Sequence, residues 1–360
     1  MPWRICKRSS DGCFRGYASR ESPDHARMLH RDARGGSPVT LVRIAKDWDW
    51  PDLLRQTPGG EGIWDGVRFT LDPVEECDCL VVLNNRMKSH VQTRCPEGMV
   101  WALMQEPYAW GFTDWMAEGH GAFSRVYTNY LPGRGGKYVP SHPAIPWHVD
   151  RTFDDLVSCA VPAKNRGMSW VVGSCRDLPG HMERLSFLKF LQSRATAEID
   201  LYGRAVRYIE DKWDGLADYR YSVAAENAVW PDYWTEKIAD CFLSWTVPVY
   251  HGCPNLEKYF PADSFVRIDI GRPREALKTI RRVLREDDWE RRFPALDEAR
   301  RRVLHEYQLF PHLARLVRAE PPGEREKVLQ TIPAYRRSAG TKMRRALYKV
   351  RKQYLRLSRR

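Results

Sequence analysis

Short apolar runs that each stop at a polar pair recur along the chain, separated by pieces long enough for helices. Residues 39–45 (VTLVRIA) predict the first strand, residues 48–55 a short helix or loop, and residues 59–69 a hairpin or turn. Residues 79–83 (CLVVL) predict a buried strand ending at Asn84-Asn85-Arg86, and residues 100–104 (VWALM) another ending at Gln105-Glu106-Pro107. A helix over 114–122 and a strand over 125–128 complete the set, which predicts one α/β layer. The proline-bearing piece 142–149 (HPAIPWHV) has the composition of an interdomain crossing. A second set starts with the strand 169–173 (SWVVG), a helix over 182–192 with Leu185, Leu188 and Leu191 inward, and a strand and turn over 199–204. Residues 276–318 predict mostly helix, with dense Arg and Glu forming a solvated face.

The second set is organised around residues 219–269. A strand over 219–224 stops at Glu226-Asn227, and a loop with Pro231, Asp232 and Tyr233 follows. Thr235 is an N-cap and Glu236 lies in the first turn, where a carboxylate suits the helix dipole. Ile238, Cys241, Phe242 and Trp245 recur at helical spacing; then comes the buried strand 246–250, broken by Gly252-Cys253-Pro254. Strand, polar loop, helix and strand make a βαβ unit, whose ligands sit at the carboxyl ends of the strands and against helix N-termini. That rim holds Glu226, Asn227, Tyr233, Thr235, Glu236 and Lys237. A lysine there suits a diphosphate and a carboxylate suits a ribose diol, so the rim has the makings of a nucleotide site. A helix-cap box with a Glu–Lys surface pair accounts for Thr235, Glu236 and Lys237 singly, though not for the ordered pattern.

The ordered pattern resembles the donor-binding segment of the α1,3/α1,4-fucosyltransferases of glycosyltransferase family ten. The matching residues are Ala225-Glu226-Asn227, Asp232-Tyr233-Trp234-Thr235-Glu236-Lys237, Val247-Pro248-Val249, Gly252-Cys253-Pro254-Asn255 and 260–265 (FPADSF). Ala225 departs from the phenylalanine common in the family. The resemblance implies a bacterial-type member of GT-B architecture: two Rossmann-like α/β domains facing a cleft, with a C-terminal helical tail. The expected division is a loose segment 1–38, an acceptor-side domain 39–150, a GDP-sugar domain 151–330 and a tail 331–360.

The implied reaction is inverting transfer of fucose from GDP-β-L-fucose to a hydroxyl of an oligosaccharide or lipid-linked glycan, with an N-acetylglucosamine- or galactose-containing lipopolysaccharide as the expected acceptor. Glu106, just past a strand and ahead of Pro107, matches the proposed general base. Arg184 matches the arginine that contacts the donor diphosphate, where its fork can bridge two oxygens, and Arg176 is a rival at the same rim. Glu226, Asn227, Tyr233, Glu236 and Lys237 take the other donor contacts. No metal-ligand set stands out, so no metal or cofactor is required, although divalent stimulation is compatible with the chemistry. Trp110 and Trp115 are candidates for an acceptor platform or for core.

Composition changes the picture at one end only. The formal net charge is +12, yet residues 335–360 carry eleven Lys and Arg and no acids, which leaves about +1 for the rest. Met343, Leu347, Val350, Tyr354 and Leu357 recur every three or four residues among them, the pattern of a basic amphipathic helix. Such a helix suits an anionic membrane surface, with an oligomerisation helix or a solvated tail as the alternatives. No run of apolar residues is long enough to span a bilayer and no secretory segment is evident, so a cytoplasmic protein, peripheral on the inner face of the membrane, is expected. The nine scattered cysteines then predict reduced thiols without a zinc site. Three other functions compete: transfer of another nucleotide sugar on the same scaffold, a catalytically dead glycan-binding relative, and nucleic-acid binding. A basic excess concentrated in one tail, without a recognisable nucleic-acid motif, speaks against the last.

Overall fold

The computed structural model describes residues 40–130, 135–204, 206–321, 323 and 325–357, with side chains to Arg351. The expected loose segment 1–38 lies outside the described residues, as do the side chains of Tyr354 and Leu357.

The first unit is built on β1 (Thr40–Ala45), β2 (Ile63–Trp64), β3 (Val67–Thr70), β4 (Cys79–Leu83), β5 (Val91–Cys95), β6 (Val100–Leu103), β7 (Arg125–Thr128) and β8 (Tyr138–Pro140). Seven of these form a sheet in the order β2-β3-β1-β4-β6-β7-β8. Every pairing is parallel except the β2–β3 hairpin, whose Asp65-Gly66 turn has both residues at positive φ. Parallel strands are covered on both faces, and β4 and β6 are buried at every residue.

The second unit carries β9 (Arg166–Val171), β10 (Asp200–Tyr202), β11 (Tyr219–Ala225), β12 (Val247–His251) and β13 (Val266–Arg267), all parallel, in the order β10-β9-β11-β12-β13. Around it lie α1 (Phe153–Ser158), α2 (Pro179–Arg194), α3 (Glu236–Leu243), α4 (Pro273–Glu286) and α5 (Trp289–Arg302). The expected two-unit α/β architecture is present.

The chain crosses between the units twice. Residues 141–149 leave the first sheet and place Trp147 and Val149 in the second core. After α5 a π-turn, Val303–Tyr307, leads into α6 (Leu309–Arg318), whose Leu309, Phe310, Leu313, Ala314 and Val317 enter the first core. Next, β14 (Val328–Ile332) pairs antiparallel with β5. Packing therefore changes hands near Gln308. The crossings touch: His142 Nε2 lies 2.8 Å from the Tyr307 carbonyl, and its ring stacks on Trp234 at 5.0 Å.

One local expectation is corrected. Residues 114–122 do not form a helix; only the turn Asp114–Met116 is helical, and Gly119 at φ 78° cannot continue a right-handed helix. The carboxylates of this stretch hold the C-terminal helix α7 (Ala339–Leu357): Arg344 pairs with buried Asp114 at 2.7 Å, while Glu118 accepts from Tyr335, Ser338 and Thr341. Of the two alternatives left for the tryptophans, Trp115 takes the core, whereas Trp110 is exposed. The seven described cysteines are all free thiols.

Candidate functional site at the carboxyl rim of the second sheet

Strand β11 runs buried to Ala225 and delivers Glu226 to the rim with its side chain out of solvent. A buried carboxylate needs partners. Glu226 accepts from the Thr235 amide at 2.8 Å and the Thr235 hydroxyl at 2.7 Å, which joins the end of β11 to the start of α3. Gly252 makes room: a Cβ there would stand 2.5 Å from Glu226 Cγ.

The loop between them is locked from below. Asp232, at φ 61°, accepts from Tyr259 Oη at 2.6 Å, Lys258 Nζ at 2.9 Å and Asn255 Nδ2 at 3.0 Å. Asn255 returns the contact by accepting the Asp232 amide at 2.8 Å. The Asp232 and Asn255 of the sequence pattern are thus scaffold, holding Tyr233 and Thr235 at the rim.

Lys237 stands between two carboxylates, with Nζ 3.1 Å from Glu236 and 3.3 Å from Glu226. Burial pushes both carboxyls up and Lys237 pulls both down, but the two part company. Glu236 also faces His148 and Lys212, and it ends well below the usual range; Glu226, pushed further up by the Glu236 charge, stays raised. His148 Nδ1 is 3.8 Å from Glu236, and burial pushes its pKa down to about 4, so it is a neutral imidazole at pH 7. Behind them Lys212 pairs with fully buried Asp240 at 2.6 Å, and Asp240 also takes the His148 amide at 2.9 Å.

Helix α2 closes the other side. Its second residue is Gly180, where a Cβ would lie 2.0 Å from the Asn227 carbonyl oxygen, so only glycine lets this N-terminus meet the rim. One turn on, Arg184 is buried and donates to the Ala225 carbonyl at 3.3 Å. Burial lowers its pKa, opposed by Glu226 and Glu236. Arg184 Nε and Asn227 Oδ1 are both buried without a hydrogen-bond partner. A buried polar atom without a partner is costly, and two such atoms at one rim are what a polar ligand would satisfy. Arg176 is exposed on the preceding loop.

Glu106 comes from the first unit, directly after Gln105, whose amide is fixed by Asn84 Oδ1 at 2.8 Å. The residue is partly buried. Burial pushes its carboxyl up to about 7, against the pull of Lys237 and with the push of Glu236. Tyr233, fully buried, feels Glu226, Glu106 and Glu236 together, and burial raises its phenol well above its ordinary value. All seven residues singled out by sequence therefore converge: Glu106 from one unit, and Arg184, Glu226, Asn227, Tyr233, Glu236 and Lys237 from the other. Sequence reasoning missed His148, Lys212 and Asp240. A histidine in the crossing HPAIPWHV was the one available signal.

Residues 161–293 match the family model described as glycosyltransferase family 10 (fucosyltransferase) C-term. The chain is similar to 4-galactosyl-N-acetylglucosaminide 3-alpha-L-fucosyltransferase 9 of Homo sapiens, with 34% identity over 129 residues, which are 34% of this chain and 34% of that protein. Likeness to the fucosyltransferase FUT6 of Pongo pygmaeus is 32% over 112 residues, 30% of each chain. The chain thus spans about a third of the length of these curated relatives. A crystal structure of an alpha1,3-fucosyltransferase with GDP-fucose aligns over 78% of this chain and 95% of that one, at 14% identity and a TM-score of 0.45, which adds nothing to the fold described above.

Proposed function

We propose that this chain is an inverting fucosyltransferase that moves fucose from GDP-β-L-fucose to an oligosaccharide hydroxyl, a reading supported by the match of residues 161–293 to the family model of glycosyltransferase family 10. The observation that carries the proposal is the meeting of the family-motif residues with Glu106 across the cleft. Glu106, poised near neutrality, takes the proton from the acceptor hydroxyl as its oxygen attacks the anomeric carbon. The bond from that carbon to the β-phosphate oxygen breaks, and its electron pair leaves with GDP. One displacement inverts the β-linked donor to an α-linked product. Lys237 and Arg184 face the departing diphosphate, and Arg184 Nε is a donor free for it. Glu236, held ionised by Lys237, accepts from the ribose hydroxyls. Asn227 and Tyr233 hydrogen-bond the phosphates or the sugar, and Glu226 steadies the rim and the cation-like sugar. The first unit is the acceptor side. The test is turnover of GDP-fucose with N-acetyllactosamine-type acceptors, with the linkage read from the product; turnover of another nucleotide sugar in its place would replace fucose in the proposal.

Helix α7 belongs to the same proposal as a seat on an anionic membrane surface, with the enzyme peripheral on the cytoplasmic face and a lipid-linked glycan as acceptor. Thr341, Arg344 and Tyr348 face the protein, while Met343, Leu347 and Val350 are 62%, 52% and 66% exposed on the opposite side amid Lys and Arg. Each basic residue near such a surface contributes on the order of 1 kcal/mol. No helix among the described residues is long and apolar enough to cross a membrane.

A further inference from the structure

We propose that Tyr130 and Trp230 form the seat for the acceptor sugar, a corner of two aromatic rings that meets across the cleft beside Glu106. The seat rests on the fucosyltransferase reading above and supplies the acceptor-side contacts that the donor motif leaves open. Glu106 follows β6 and Tyr130 follows β7, and these strands pair in parallel, so both residues leave the same edge of the first sheet. Asn129 Nδ2 donates to the Glu106 carbonyl at 3.3 Å, which ties the two strand ends together. Thr128 Oγ1 accepts the Tyr130 amide at 3.1 Å and donates to the Tyr130 carbonyl at 3.0 Å, so the ring is carried on a pinned turn. Trp230 comes from the other unit, on the loop that Asp232 locks, and its carbonyl accepts the Tyr233 amide at 3.3 Å.

The ring geometry suits a pyranose. Tyr108 stacks on Tyr130 at 4.0 Å and 5°, which stiffens it, and Trp230 meets Tyr130 at 6.1 Å and 71°. Rings so inclined make a corner rather than a closed stack. A sugar ring presents a face of C–H bonds, whose slight positive charge suits the negative face of an aromatic ring. Position separates this corner from core packing. Tyr108 and Tyr130 lean on the first core, but Trp230 belongs to neither core, is 36% exposed, and has Tyr130 as its one ring contact among the described residues. A polar group lies beside the rings: Asn129 Oδ1 is buried without a hydrogen-bond partner, and a sugar hydroxyl would satisfy it. Because the reacting hydroxyl must reach Glu106, the sugar that bears it has to pack on side chains at that strand end. Tyr108 and Tyr130 are the stacked aromatic pair there.

The test is a ligand-observed NMR titration of the full chain, loaded with GDP, with N-acetyllactosamine, alongside calorimetry with GDP alone. Trp230→Ala and Tyr130→Ala should each weaken disaccharide binding by about tenfold, and Trp230→Phe should keep it within about twofold, while GDP affinity stays that of wild type in all three. Turnover should show the same split, with KM for the acceptor raised and KM for GDP-fucose unmoved. Trp230 is partly exposed, so its two variants leave the fold in place and decide the matter where Tyr130→Ala fails to fold. Disaccharide binding that is indifferent to Trp230→Ala, lost equally in Trp230→Phe, or absent from the GDP-loaded wild type overturns the seat and leaves the donor site standing. A wild type that binds no GDP overturns the donor reading instead; the free chain is then titrated with the disaccharide, and the same dependence on Trp230 upholds or overturns the seat.

Discussion

Replacing Glu106 by Gln moves activity and stability in opposite directions. Its carboxyl has an ordinary value of 4.5 and rises to about 7 in the folded protein, chiefly through burial. A raised carboxyl means that the folded state prefers the proton. The stability this group contributes is therefore fully present below pH 4.5 and is lost as pH climbs through 7. At about 1.4 kcal/mol per unit the whole shift is worth roughly 3 kcal/mol, and the open edge of the side chain reduces that to about 1–3 kcal/mol. Glutamine is neutral throughout and escapes the loss. Glu106→Gln should therefore match wild type in urea denaturation at pH 4.5 and exceed it by about 1–3 kcal/mol at pH 8.5, while turnover falls by about 10²–10⁴-fold. Wild-type kcat/KM should rise with pH through about 7 as the base ionises. A variant no more stable than wild type at pH 8.5, or one retaining more than a tenth of its turnover, refutes the assignment of Glu106 as a strained, buried base.

Two further substitutions test the frame around it. Gly180→Ala in α2, a change that usually stabilises a helix by about 0.5–1 kcal/mol, should here destabilise by about 1–3 kcal/mol and weaken nucleotide binding, because the new Cβ meets the Asn227 carbonyl at 2.0 Å; denaturation and calorimetry read the two effects. Arg344→Ala should cost about 1–3 kcal/mol by leaving buried Asp114 without its counter-ion, and limited proteolysis should then cut within residues 335–348 far faster than in wild type.

What could be foreseen follows from what is contiguous. The rim was legible because β11, its loop, α3 and β12 lie within 33 residues, so one stretch of sequence holds strand ends, cap and charged side chains together. Glu106 was legible through the resemblance, which places a general base just past a buried strand; the strand end by itself marks only a polar residue at the rim. Lys212 and His148 were not, since their partner Asp240 lies 28 and 92 residues away and nothing local marks the pairing. The stretch 114–122 misled for a related reason. Asp114 and Glu118 look like exposed helix acids, but their partners are Arg344, Tyr335, Ser338 and Thr341, more than 200 residues further on. Gly180 carried no signal at all, because its role is set by a backbone oxygen of a distant loop.

The central claim is that the rim of the second sheet binds a guanosine diphosphate through Lys237 and its neighbours. Calorimetric titration with GDP, against UDP and CMP, of wild type and of Lys237→Ala tests it most directly. The account predicts selective binding of GDP that the substitution weakens by at least tenfold. A folded protein that binds no nucleotide, or one that binds GDP equally well without Lys237, contradicts it.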